Sequence, residues 1–326
     1  MNETREAVLA AVAEGPTTGP EIAERLDVSR AAVWKHVEAL REAGFEIESG
    51  EEGYELVGVP AFGAAAVEYG LEAPFEVEYH DAIASTNERA RKLAADGAAD
   101  VVVLADEQTR GRGRLDRGWS SPPGGVWLSL VLRPNVPPAR ATLFTLAAAV
   151  ATTRAAREVG VEASIKWPND VLVGEAGEEV GDDDAAEPPV ERKLAGILTE
   201  MEGEADRVSW LVVGVGVNAN VDPGAIEADG PVTSLSAERG EDVDRRVFTQ
   251  RLLEDFDELR TDLDAVVPAW RDLAITLGRQ VRVETPDGTV TGQAVDVTNR
   301  GALVVETGSG EQVVTTGDCE HLRAAR

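Results

Sequence analysis

The chain has 326 residues, 43% of them apolar and 28% charged, enough for one sizeable core with one or two small satellite domains. It carries 60 acidic and 31 basic residues, a formal net charge of −29. Only four of the basic residues are lysines: Lys35, Lys92, Lys166 and Lys193. No apolar run approaches the ~20 residues of a membrane helix, and no signal peptide is visible at the start. Cys319 is the only cysteine, which excludes an intramolecular disulfide and a cysteine-cluster zinc site. These features predict a cytoplasmic protein with no membrane partner and no bound metal of its own. Acidity spread along the whole chain predicts a high-salt cytosol, because molar salt screens charge within ~3 Å. An acidic surface for basic partners is the rival reading.

Apolar residues at helical spacing predict a first helix over residues 3–13 and a short second one near 20–26. Ser29 is a good N-cap for a third helix, with Val33, Val37 and Leu40 on its inner face and Gly44 at its end. Two short strands, 46–49 and 54–57, flank a turn containing Gly50 and Gly53. Three helices and a hairpin predict a winged helix-turn-helix over residues 1–60. A linker near Pro60–Ala66 leads to a mixed α/β domain over 61–272. Its expected strands are Val101–Ala105, Val126–Leu132, Ser164–Trp167, Ala195–Glu200 and Ser209–Val217, with helices near 86–96, 139–159 and 245–264. Residues 174–191 hold eight acidic residues and no basic one, and read as a solvated insertion between two strands. The last segment, 273–326, alternates in the strand manner between Gly-rich turns and predicts a small β-barrel. The whole reads as an α+β chain.

Four segments carry chemistry. In Ser85-Thr86-Asn87-Glu88, a capping box alone explains Ser85 and Glu88; the functional reading is a helix N-terminus gripping a polar head group. The run Gln108-Thr109-Arg110-Gly111-Arg112-Gly113-Arg114, following a strand, is a positive island in an acidic chain. Glycines let the backbone approach an anion, and guanidinium forks match phosphate oxygens. A basic surface turn is the plainer reading, and neither a Walker loop nor a dinucleotide fingerprint fits. Lys166-Trp167-Pro168-Asn169-Asp170 puts a scarce lysine at a strand end, with Asp170 able to orient it, though Asn169 and Asp170 suit an Asx-turn equally. Lys193 is a second lysine of this kind. Gly214-Val215-Gly216-Val217-Asn218 closes the longest strand, and alone marks only a bulge or tight packing.

The order and spacing of these motifs, with Arg192-Lys193-Leu194-Ala195-Gly196-Ile197-Leu198, resemble the biotin protein ligases of the bifunctional ligase/repressor kind over nearly the whole chain. The stretch Ser29-Arg30-Ala31-Ala32-Val33-Trp34-Lys35-His36 is similar to that family's recognition helix. The resemblance implies a biotin/lipoate-ligase-like catalytic domain that joins biotin to ATP and transfers it to a lysine of a biotin carboxyl carrier protein. It implies Ser85, Thr86, Asn87 and Gln108 at the ureido and thioether end of biotin. Arg112, Gly113 and Arg114 would lie in a loop over biotin and the adenylate. Lys166 would touch the biotin carboxylate and the α-phosphate, so Lys166, Arg112 and Arg114 are the expected catalytic residues. Gly111, Asn169, Lys193, Asn218 and Arg323 are the expected ATP contacts, with Mg²⁺ arriving on the nucleotide. Operator DNA would meet Arg25, Arg30, Trp34, Lys35 and His36, and a homodimer is expected. Residues 1–60 nonetheless hold five basic and thirteen acidic residues, which opposes phosphate contact. Two rivals remain at this point: a lipoate-type acyl ligase, and a DNA-binding regulator in which catalysis is secondary.

Overall fold

The computed structural model describes residues 3–114, 117–174 and 190–322. The chain divides into two compact units, Met1–Leu71 and Glu72–Arg326.

In the first unit, α1 (Glu3–Ala13), α2 (Gly19–Arg25) and α3 (Arg30–Glu42) precede the antiparallel hairpin β1 (Glu46–Gly50) and β2 (Gly53–Gly58). Local chemistry sets the helix starts. Thr18 and Glu21 form a reciprocal capping box on α2, and Ser29 Oγ accepts the Ala32 N–H at 3.1 Å on α3. Val33, Val37 and Leu40 are buried as expected, and join Val8, Leu9, Val12, Ile22, Phe45 and Ile47 in one core. Part of the expected linker is the short helix α4 (Ala64–Glu68), and Ala65 and Tyr69 pack on that core. Winged helix-turn-helix is therefore the observed pattern.

The second unit is built on a seven-stranded mixed sheet ordered β3-β4-β5-β9-β8-β7-β6. These strands are β3 (Glu76–Ile83), β4 (Val101–Gln108), β5 (Val126–Leu132), β6 (Ala163–Lys166), β7 (Asp170–Val173), β8 (Arg192–Gly203) and β9 (Val208–Val217). Helix α5 (Thr86–Ala95) packs against β4, β5 and β9, and α6 (Thr142–Glu158) against β6, β8 and β9. Val212 of β9 shares a core with Ala90 and Ala94 of α5. Strand alternation therefore turns Gly214 and Gly216 to the same side as α5. After the short α7 (Leu235–Arg239), the helix expected near 245–264 is α8 (Arg245–Thr261), and a further helix that was not expected, α9 (Leu263–Leu273), follows it. Asp262 leaves the helical region, and its side chain caps α9 through the Asp264 N–H.

The C-terminal segment is a five-stranded antiparallel sheet ordered β13-β12-β11-β10-β14. It comprises β10 (Gln280–Thr285), β11 (Gly288–Val297), β12 (Leu303–Thr307), β13 (Gly310–Val314) and β14 (Asp318–His321). Buried Trp167 ties it to the large sheet by donating Nε1–H to Gly301 O at 3.0 Å. No helix among the described residues is long and apolar enough to cross a membrane.

Candidate functional site

Segments remote in sequence line one cavity of about 330 Å³. One wall is the start of α5, where Ser85, Thr86 and Asn87 are all buried. Ser85 caps the Glu88 N–H at 3.4 Å, but Glu88 turns to Lys92 instead (3.1 Å), so only half of the expected capping box forms. Gln108, ending β4, accepts from Thr86 N–H at 2.8 Å and donates to Ser121 Oγ at 2.9 Å.

The floor explains the glycines. A Cβ on Gly214 would stand 2.1 Å from Asn87 Oδ1, and one on Gly216 would stand 2.6 Å from Trp119 Nε1. One on Gly196 of β8 would lie 3.0 Å from the same indole. The alternating glycines thus mark close approach of neighbours rather than a bulge. Trp119, which the sequence motifs did not single out, lies on this floor with Lys193 Nζ 5.0 Å from its ring centre, a cation–π distance. Its only sequence signal is an aromatic residue just beyond the arginine run.

Lys166, at the end of β6, lines the cavity and has no hydrogen-bond or ion-pair partner among the described residues. Asp170 does not orient it. The Asp170 carboxylate instead meets Lys193 Nζ at 2.7 Å, because β7 pairs with β8 and sets the two residues on neighbouring strands. Asp170 also opens β7 rather than closing an Asx-turn. Arg112 and Gly113 lie on the wall, and the Arg112 side chain is exposed. Arg114 donates to Asn169 Oδ1 (2.7 Å) and Gly317 O (2.8 Å), and burial lowers its pKa against the pull of Asp170 and Asp318. Asn169 donates its own amide to Ile197 O at 2.9 Å. Gly111 is not on the cavity wall: it pins the loop, accepting the Trp119 N–H at 3.0 Å.

Asn218 is 1% exposed and donates to Thr233 O at 2.9 Å, while its Oδ1 has no partner among the described residues. A buried acceptor left open on a cavity wall suits a ligand N–H. Glu191 also lines the cavity. Burial would raise its pKa, but His321, Arg279 and Lys166 together lower it. His321 Nδ1 is 3.1 Å from Glu191 Oε2, and Arg279 pairs with the same carboxylate. Arg323 and residues 175–189 of the acidic insertion lie outside the described residues.

In the first unit, Arg30, Trp34 and Lys35 are exposed along α3 and His36 is half-buried. Trp34 is 56% exposed. Arg25, however, is engaged by Glu14 at 2.6 and 2.9 Å.

A glycine floor, cationic walls and a helix N-terminus make a cavity suited to a small anionic ligand. The model of the biotin/lipoate A/B protein ligase family matches residues 80–218. The biotin protein ligase C-terminal domain matches 276–322 and a helix-turn-helix domain 4–55. The chain is 36% identical to the bifunctional ligase/repressor BirA of Bacillus subtilis, with 93% of each chain covered. It is 27% identical to that of Escherichia coli, over 89% of this chain and 88% of the relative. The structure of a biotin protein ligase from Aquifex aeolicus in complex with biotin and ATP superposes with a TM-score of 0.59 at 25% identity, covering 76% of this chain and 99% of the other. The chain belongs to the bifunctional ligase/repressor branch of the biotin protein ligase family.

Proposed function

We propose that the protein activates biotin with ATP and attaches it to one lysine of a biotin carrier protein. The convergence of the Ser85–Asn87, Gln108, Arg112–Arg114, Lys166 and Lys193 segments on one cavity carries this reading. A biotin carboxylate oxygen attacks the α-phosphorus, the bond to the β-phosphate breaks, and pyrophosphate leaves biotinyl-5′-AMP. The acceptor amine then attacks the anhydride carbonyl carbon, loses a proton and expels AMP.

Two anions meet in the first step, so positioned cations supply most of the help. Lys166, with no hydrogen-bond or ion-pair partner among the described residues, can bridge carboxylate and α-phosphate. Lys193 is tethered to Asp170 and serves the nucleotide, together with Asn218. Arg112 and Arg114 close over the intermediate, Asn169 and Arg323 support the nucleotide side, and Gly111, off the cavity wall, serves it only by holding the loop. Mg²⁺ arrives with ATP. Ser85, Thr86, Asn87 and Gln108 hold the ureido ring.

Transfer of labelled biotin from biotin and MgATP to a carrier domain, in molar KCl, tests the reading. Transfer dependent on ATP and on the acceptor lysine supports it. Failure to bind biotin overturns it, and preference for lipoate in competition would replace it by a lipoate-type ligase.

The second unit of function is DNA binding by a homodimer, with Arg30, Trp34, Lys35 and His36 of α3 at the operator. Arg25, spent on Glu14, contributes least. An operator gel shift at high KCl, with and without biotinyl-5′-AMP, checks it; no shift in either state removes the repressor role. Division at 1–60, 61–272 and 273–326 into DNA-binding, catalytic and C-terminal parts, and a cytoplasmic location, complete the proposal.

A further inference from the structure

Lys193 is aimed by Asp170 and the Trp119 ring, whereas the Lys166 ammonium has no hydrogen-bond or ion-pair partner among the described residues. Whatever aims Lys166 therefore acts through its backbone or through charge at longer range. Both routes lead to one buried imidazole outside the cavity.

The His321 side chain, on β14, is only 7% exposed. Its Nδ1 lies 3.2 and 3.1 Å from the two Glu191 carboxylate oxygens. A carboxylate only accepts, so Nδ1 carries a hydrogen, and the neutral ring keeps an acceptor at Nε2. Thr276 Oγ1 is 3.0 Å from that nitrogen. The same oxygen accepts the Trp167 N–H at 2.9 Å, which leaves the hydroxyl proton for Nε2. Thr276 is held beside β6 because the Ile275 N–H donates to Ile165 O at 2.9 Å. The Trp167 N–H belongs to the peptide bond that follows Lys166, so this arm pins the backbone from which the lysine springs. The other arm ends at Glu191 on the cavity wall, close enough for Lys166 to bear on its charge. Carboxylate, imidazole and hydroxyl stand in the order of a hydrolytic triad. Thr276, however, is fully buried and off the cavity wall, and its oxygen is taken by Trp167, so it is no nucleophile.

We infer that His321 is a positioning residue for Lys166. Through Thr276 it fixes the backbone at that lysine, and through Glu191 it fixes the carboxylate that attracts the ammonium. The inference rests on the biotin reading and deepens it. Attack of one anion on another depends on a cation held in the right place, and a misplaced cation costs the transition state more than it costs the binding of either substrate.

Pyrophosphate release by the full chain in molar KCl, with biotin and MgATP varied in turn, tests this. His321→Ala should lower kcat about tenfold, with both KM values within about twofold of wild type. Thr276→Val should do the same, and Thr276→Ser, which keeps the hydroxyl, should stay within about threefold of wild type. In a Lys166→Ala background, adding His321→Ala should slow the residual reaction less than about twofold, because no ammonium is left to aim. Thermal denaturation of each variant reports folding. If His321→Ala fails to fold, His321→Asn takes its place, since its amide reaches Glu191 but falls short of Thr276; a loss in kcat of about threefold or more is then expected. An unchanged kcat in the folded variant overturns the inference. So does a tenfold loss that persists in the Lys166→Ala background, or a loss carried by KM alone. A wild-type chain that releases no pyrophosphate with biotin would remove the biotin reading itself, whereas normal wild-type turnover with an indifferent His321→Ala removes only the positioning role.

Discussion

Lys166 and Gly214 act on the cavity in opposite ways, one by charge and one by absence. Lys166 has no hydrogen-bond or ion-pair partner among the described residues and only a longer-range pull on Glu191, so its removal costs the fold little. Lys166→Ala should slow adenylate formation about 10²–10³-fold, followed as pyrophosphate release, while stability stays within about 0.5 kcal/mol. Gly214 owes its identity to the Asn87 amide, which would stand 2.1 Å from an added Cβ. Overpacking of that kind costs about 1–3 kcal/mol. Gly214→Ala should weaken biotin about tenfold by titration calorimetry, whereas Gly308→Ala, where a Cβ meets nothing within 4 Å, should leave affinity unchanged.

At the level of elements, the arginine loop and the start of α5 depend on contacts distant in sequence. Arg114 joins the loop to Asn169 and to Gly317 at the foot of β14. Arg114→Gly should free the loop, and faster release of biotinyl-5′-AMP should appear as biotinylation of non-cognate proteins. Glu78 of β3 binds Arg89 of α5 at 2.7 and 2.8 Å. The Arg89 hydrogen bonds, with help from His80, hold its pKa down to about 2 from the ordinary 4.5. A depressed carboxylate stabilises the folded state above the unfolded pKa and loses that contribution as pH falls through the folded one. Glu78→Gln should therefore lower the Tm at pH 7, with the gap from wild type closing between about pH 4.5 and pH 2 in a pH series of melting curves.

Over the whole molecule, the net charge of −29 is the dominant long-range term. Like charges repel until salt shortens their reach from ~10 Å at 0.1 M to ~3 Å at 1 M. The Tm should rise steadily between 0.1 and 2 M KCl, and a flat or falling Tm would dissociate the acidity from salt tolerance. The same charge frames the DNA-binding unit, where α3 exposes Arg30, Trp34 and Lys35 beside an acidic background and Arg25 is neutralised by Glu14.

Much of this architecture was legible in the chain because periodicity and capping are local. The inner face of α3, the buried strand Val126–Leu132 and the cap at Ser29 follow from neighbours within a few residues. The family motifs were legible for a related reason: catalytic groups keep fixed short spacings. What only the tertiary structure decided depends on partners far along the chain. Edge strand β3 and the four-residue β7 are too short or too polar to announce themselves before a neighbour supplies their hydrogen bonds. Asp170 was expected beside Lys166, four residues away, yet strand pairing gave it to Lys193. Trp119 gains its place only because β8 and β9 bring Gly196 and Gly216 beneath it, and buried Ser129 meets Thr86 and Asn87 from a strand more than forty residues further along. Local sequence sets which residues form a helix or strand, whereas the direction of a buried hydrogen bond is set by whichever distant groups the fold leaves as its partners.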